Sequence, residues 1–162
     1  MSRQHHVLLR VAEHAMSGKG AHIELRHVVE GLDWKSAGMR PGGVPHSVFQ
    51  LLNHVVYWHE WALRWLGGRR PPEPRHASGS WPGAEAPSSS REWQLAVQRL
   101  LRVLDQLKAD SADTDLLSAR GRKTALEMLQ TVGAHGSYHA GQVALVRQML
   151  GKWPPPSGGL TW

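Results

Sequence analysis

Three histidines occupy positions where imidazole chemistry is possible. His135 and His139 are four residues apart in a segment with helical periodicity. This spacing puts both rings on one face of a helix, with their Cβ atoms ~5–6 Å apart, close enough to chelate one divalent ion. His54 occurs in a second, strongly apolar segment. Because neighbouring helices of a bundle lie ~8–10 Å apart, His54 can bring a third nitrogen to the same ion.

The same pattern has a second explanation. The chain has 11 histidines among 162 residues, so a pair four residues apart also arises by chance. Buried imidazoles that are hydrogen-bonded within a core would look the same in the sequence. Three imidazoles without a fourth protein ligand leave coordination positions open, as in catalytic metal sites. We therefore expect His54, His135 and His139 to bind a divalent metal that can polarise a substrate or acidify a bound water or thiol, with core histidines as the alternative.

The other histidines fit metal motifs less well. His59 begins a His-Glu-x-x-His zinc pattern, but Leu63 stands where the second histidine is required. His22 and His46 precede predicted helices and could move protons at the mouth of a bundle, although a surface position is more common for such residues. We expect solvent-facing side chains for His5, His6, His14 and His76.

Composition narrows the class of protein. There is no cysteine, which excludes disulfides, thiolate metal sites and a cysteine nucleophile. The net charge of +6 is dispersed, so nucleic-acid binding is not favoured; its tightest clusters are Arg69-Arg70 and Arg120-Gly121-Arg122-Lys123. No segment has the length and hydropathy of a membrane span or the pattern of a signal peptide. We expect one cytoplasmic domain over residues 1–153, followed by a Pro/Gly-rich tail over residues 154–162.

The hydrophobic periodicity predicts an all-α protein, a four-helix bundle with one extra short helix near the N-terminus. Apolar residues recur at helical spacing before Gly18, and a shorter helix is predicted over residues 23–32. Ser47, Ser89 and Thr124 each begin a capping box, and a helix is predicted after each of them. Residues 33–46, 67–90 and 110–122 are predicted loops.

Two residue types in these helices have a structural and a functional explanation. Gly133, Gly136 and Gly141 interrupt the last helix, which indicates close approach of a neighbour or of a bound group. The tryptophans of the helices are expected in the core, with a ligand-pocket wall as the less common alternative. These tryptophans are Trp58, Trp61, Trp65 and Trp93.

The chain resembles the DinB/YfiT-like superfamily from about residue 20 into the tail. The resemblance depends on the segment from Pro45 to His54, on Thr124-Ala-Leu-Glu127, and most specifically on Tyr138-His139-x-Gly141-Gln142. It implies a four-helix bundle that is often dimeric. It also implies a divalent ion, commonly nickel or zinc, held by His54, His135 and His139.

The resemblance further implies the range of possible functions. Relatives are described as metal-dependent hydrolases, some branches transfer low-molecular-weight thiols, and others have no established activity. Tyr138 and Gln142 are expected to contact the metal-binding histidines without binding the metal themselves. Relatives often carry a polar or acidic residue directly after the second ligand, where this chain has Gly136. This difference favours, as the alternative to an enzyme, a metal-dependent binding or stress-response module.

Overall fold

Four long helices form the bundle that the sequence predicts. The computed structural model describes residues 3–159, and all structural statements concern those residues. The bundle helices are α1 (Arg3–Ser17), α3 (Val48–Leu66), α4 (Ser90–Asp113) and α5 (Ala125–Met149), and the short extra helix is α2 (Trp34–Ala37). α3 packs against both α4 and α5, and α1 packs against the same two helices. Within residues 3–159, no helix has the length and hydropathy needed to cross a bilayer.

Side-chain caps begin three of the bundle helices at the predicted residues. Ser47 and Thr124 form complete capping boxes at the starts of α3 and α5. The side chain of each accepts a hydrogen bond from the backbone N–H three residues later, and the side chain of that later residue accepts one from the backbone N–H of the capping residue. The box at Ser89 is incomplete. Its hydroxyl accepts from the backbone of Glu92, but the Glu92 carboxylate binds Ser88 instead.

The helix predicted over residues 23–32 is a series of turns. The backbone carbonyls of Val28 and Glu30 both accept hydrogen bonds from the buried guanidinium of Arg147 at 2.8 Å. The Trp93 indole donates to the carbonyl of Leu32 at 2.7 Å. Carbonyls bound by side chains of other helices are not available to a continuous helical ladder. The short helix therefore lies later in the chain, at α2.

The connections contain more regular structure than predicted. The predicted loop over residues 33–46 includes α2 and a 3₁₀ turn at Pro41–Gly43, and the loop over residues 67–90 includes another at Ala77–Ser80. α4 continues to Asp113, which shortens the third predicted loop. The end of that loop and the two residues after it form a short hairpin, in which β1 (Ala119–Arg120) pairs antiparallel with β2 (Lys123–Thr124).

Two of the three glycines in α5 lie where a neighbour approaches closely, as predicted. An added Cβ at Gly133 would lie 2.3 Å from the backbone oxygen of Ala15 in α1. An added Cβ at Gly136 would lie 3.2 Å from the ring of His59 in α3. Gly141 has no atom within 4 Å of the same position, so no neighbour explains it.

Alanine substitutions at Gly133 and Gly141 should have opposite effects on stability. Gly133→Ala should lower the free energy of unfolding by about 1–3 kcal/mol, because α1 must move away from α5. Gly141→Ala should raise it by about 0.5–1 kcal/mol through helix propensity alone. Urea denaturation of both variants beside the wild type measures the difference. Equal effects would show that the α1–α5 contact does not depend on a missing side chain.

Candidate metal centre

α3 and α5 bring the three predicted histidines together. His54 lies in the first half of α3, and His135 and His139 lie on successive turns of α5. His54 and His139 are buried and His135 is half-buried. One ring nitrogen from each residue lies within 4.8 Å of the other two, so the set could hold a metal ion.

The nitrogens that meet are all Nε2 atoms. Nε2 of His135 lies 3.1 Å from Nε2 of His54 and 3.1 Å from Nε2 of His139. With metal–nitrogen bonds of ~2.0–2.1 Å, nitrogens that share one ion lie roughly 3.0–3.4 Å apart. Two of the three nitrogen–nitrogen distances are therefore already those of a coordinated set.

The outer nitrogens determine what the inner ones can do. The Nδ1–H of His54 donates to the backbone carbonyl of Ser80 at 3.1 Å, and the Nδ1–H of His139 donates to Oε1 of Gln142 at 2.6 Å. Each neutral imidazole carries one N–H proton, so Nε2 of both residues carries a free lone pair and can only accept. One proton on Nε2 of His135 could satisfy only one of them. A cation satisfies all three at once, which is why this donor set fits a divalent ion.

Burial keeps the three imidazoles neutral. The pKa of His54 is lowered to about 4 and that of His135 to about 3, in both cases mainly by burial and with a smaller contribution from neighbouring histidines; for His54 the bond to Ser80 opposes this shift. The pKa of His139 is also lowered, mainly by burial and against the opposing effect of its bond to Gln142. Metal ligands must be deprotonated, so at neutral pH the site does not have to lose protons before binding.

The long loop between α3 and α4 covers one side of the centre. Ser80, which accepts from His54, ends the 3₁₀ turn of this loop. The next residue, Trp81, stacks on the ring of His54 at a centroid distance of 3.9 Å and on that of His46 at 3.7 Å. The loop therefore fixes the rotation of the His54 ring by one hydrogen bond and one stacked face.

The comparison with known families agrees with this geometry. The family described as the DinB superfamily matches residues 21–143, most of the bundle and all three histidines. The chain belongs to the DinB superfamily. No curated protein and no solved structure matches the chain significantly.

Other residues considered for the site have different roles in this DinB superfamily member. His22 binds Oγ of Ser137 and the backbone oxygen of Ile23, both at 2.7 Å, and lies outside the three-histidine set. His46 is half-buried, stacks on Trp81 and contributes to the lowered pKa of His54 and of His139, but lies outside the three-histidine set. Tyr138 is 65% exposed and touches His139 with its ring edge, whereas Gln142 makes the expected contact.

His59 is completely buried beside the centre. Its Nδ1–H donates to the carbonyl of Val55 at 2.8 Å, and Nε2 has no partner among the described residues. A Cβ at position 136 would lie 3.2 Å from its ring, so a side chain there would require that ring to shift. Gly136 provides no carboxylate beside His135 and packs closely against His59 instead.

Sequence reasoning did not find Ser80 and Trp81. Both lie in an irregular loop, and their contacts with His54 cross 26 and 27 residues without a repeating pattern. The usable signal was the length of that loop together with its single tryptophan. Loops longer than ~12–15 residues often contribute to function.

Removing the amide of Gln142 should weaken metal binding. Gln142→Leu leaves Nδ1 of His139 without its acceptor, and loss of such outer contacts typically lowers metal affinity by about 10–100-fold. Competition for Zn²⁺ against a chromogenic chelator measures this change. Gln130→Leu, an exposed position of the same helix, is the matched control. Equal affinities for the two variants would contradict a role for Gln142.

His59 should make stability depend on pH. Burial lowers its pKa from 6.5 to about 4, so between these values the unfolded chain takes up a proton that the folded chain does not. The contribution of His59 to the free energy of unfolding should therefore be fully present above pH 6.5 and should be lost as the pH approaches 4, by up to roughly 3 kcal/mol.

His59→Leu should reduce the dependence of the unfolding free energy on pH, by an amount that corresponds to the uptake of up to one proton on unfolding. Urea unfolding of both proteins from pH 7 to 4 in a chelator measures the slopes, and the other histidines then contribute equally to each. Parallel slopes would mean that His59 is not kept neutral in the folded state.

Proposed function

We propose that this DinB superfamily protein is a metal-dependent enzyme for small molecules, with His54, His135 and His139 as ligands of one zinc or nickel ion. The observation that carries the proposal is the convergence of three Nε2 atoms. Those of His54 and His139 carry free lone pairs, because the proton of each ring lies on Nδ1 and is donated to Ser80 or Gln142. Among residues 3–159, the ligand set contains no fourth protein donor. The remaining coordination positions are therefore available to a substrate.

The neighbouring residues would support such a reaction by fixing the ligands. A bound divalent ion would supply Lewis acidity toward a substrate oxygen or sulfur. Gln142 and the Ser80 carbonyl keep Nδ1 of their partners protonated and hold both rings in orientation. Trp81 covers the His54 ring and excludes water from that side. These features support hydrolysis or thiol transfer, the two chemistries that the resemblance implies.

A metal-binding module without turnover is the second candidate. It is favoured by one observation, that position 136 has no side chain and that a Cβ there would already lie 3.2 Å from the ring of His59. General-base catalysis needs an acceptor within about 2.6–3.2 Å of the proton it removes. The two candidates share the metal site and differ only in whether substrate is converted.

Elemental analysis tests the site. The untagged protein, loaded with Zn²⁺ or Ni²⁺ and desalted, should retain one equivalent, and His139→Ala should retain none. His14→Ala, which removes an exposed histidine from α1, is the control and should behave as wild type. One equivalent in all three proteins would place the ion elsewhere. Circular dichroism shows whether His139→Ala keeps its helices.

Turnover separates the two candidates. The loaded protein is incubated with activated esters, and with an aromatic chloride together with a small thiol. Conversion by the loaded wild type that His139→Ala lacks supports the enzyme, with the productive substrate distinguishing hydrolysis from thiol transfer. Retention of the metal without conversion in either assay favours the binding module.

A further inference from the structure

A cavity of about 330 Å³ adjoins the candidate metal centre at His135. It lies between α3 and α5, and the β1–β2 hairpin contributes to its wall. Its volume falls within the ~300–1,000 Å³ typical of small-molecule sites. A somewhat larger cavity, of about 410 Å³, has none of the three histidines in its wall and is lined by acidic and basic residues alike. Of these two cavities, it is therefore the one at His135 that has a histidine of the candidate centre in its wall.

One wall of this cavity is aromatic. Trp58, Trp61 and Trp65 lie on successive turns of α3 and line it together, opposite Met128 and Val132 of α5. The ring of Trp58 is 6.0 Å from that of Trp61 and 6.4 Å from that of His135. Three indoles leading to a metal ligand form a surface suited to a flat apolar group. Trp61 also belongs to a core cluster, against which Trp58 and Trp65 pack. These three indoles therefore contribute to the core, as predicted, and to the cavity wall as well, and Trp93 lies in the core.

The other wall is basic. Arg120, Arg122 and Lys123, the cluster noted in the sequence, come from the hairpin and line the cavity with one carboxylate, that of Glu73. The turn between them requires Gly121, whose φ is +78°. Nothing in residues 3–159 forms an ion pair within 4.0 Å of any of these three cations.

Hydrogen bonds to neutral groups position two of these cations without neutralising their charge. Arg120 donates to the backbone carbonyl of Leu66 at the end of α3, and Lys123 donates to the hydroxyl of Thr131 at 3.4 Å. Lys123 also contributes to a lowered pKa of Glu127, without a direct salt bridge. Arg70 adds a fourth cation, with its guanidinium 3.6 Å from the Cβ position of Gly121. The potential at this wall is therefore positive.

Two buried N–H groups of the cavity residues also lack acceptors. Nε1 of Trp61 and Nδ1 of His135 have no hydrogen-bond partner in the described part of the chain. With Nε2 of His135 on a metal, its Nδ1 carries a proton, so both groups are donors. Unpaired buried donors are rare in folded proteins, and they favour a ligand that brings acceptor oxygens.

We propose that this cavity binds the substrate, and that the substrate is a small anion with a flat aromatic body. The proposal rests on the metal-dependent function above and adds its substrate class. The indoles bind the body, and the hairpin cations Arg120, Arg122 and Lys123 bind a carboxylate or a similar acidic group. The ligand then lies with one edge at His135, next to the metal.

Matched probes test the charge and the body separately without any substitution. Isothermal titration calorimetry is performed with 2-naphthoate, its neutral isostere 2-naphthamide, and acetate, which has the charge without the rings. We expect 2-naphthoate to bind at least about tenfold more tightly than the amide, and acetate to give no measurable binding. The preference for the anion should shrink as salt is raised. Equal binding of acid and amide overturns the proposal.

Variants then locate the charge. The double variant Arg122→Gln/Lys123→Gln should weaken 2-naphthoate binding roughly tenfold and leave the amide unchanged, since two exposed cations each contribute a few-fold. Arg91→Gln removes an exposed arginine from α4 and is the matched control. An equal loss in the control, or no loss in the double variant, would mean that the hairpin does not bind the anion.

Metal dependence distinguishes failure of this proposal from failure of the proposed function. The titrations are repeated on chelator-treated wild type and on His139→Ala. If the wild type retains no metal in the elemental analysis but still binds 2-naphthoate in preference to the amide, the cavity is supported and the metal enzyme is rejected. One equivalent of metal with no preference for the anion rejects the cavity and leaves the metal site in place.

Discussion

The structure depends on one electrostatic constraint, the meeting of three imidazole nitrogens at hydrogen-bond distance in a buried position. Burial keeps the rings neutral, and hydrogen bonds to Ser80 and Gln142 assign the proton of two rings to the outer nitrogen. The inner nitrogens are then acceptors facing acceptors, an arrangement that a hydrogen-bonded core would avoid. The explanation by ordinary core histidines therefore accounts poorly for the centre, because at most one of the two close Nε2 pairs can share a proton.

The three histidines of the candidate centre are not supported equally. His54 is held by a carbonyl and a stacked indole from the long loop, and His139 by an amide one turn away on its own helix. His135 has no outer partner among the described residues, and it is the histidine that lines the tryptophan cavity. The closed side of the centre is thus built by the loop and by α5, and the less constrained histidine faces the cavity.

The sequence was sufficient for what local rules determine. Capping residues located the starts of α3 and α5, and the spacing of His135 and His139 put both rings on one face. It was not sufficient where distant side chains replace local hydrogen bonds. Arg147 binds carbonyls almost 120 residues away, which turns a predicted helix into turns. Ser80 and Trp81 reach His54 from a loop without periodicity, and no spacing rule describes such contacts.

Gly136 links the packing of the bundle to the chemistry of the centre. α5 is buried on several sides, so it contacts α1 at Gly133 and α3 at Gly136, and its two histidines also meet His54 of α3. A Cβ at position 136 would already lie 3.2 Å from the ring of His59, which is itself fixed by its bond to Val55. A carboxylate after His135 would require that ring to shift, and without one a proton acceptor for catalysis would have to come from the substrate, from solvent or from another element. This constraint follows from the helix packing and does not depend on which divalent ion the centre would hold.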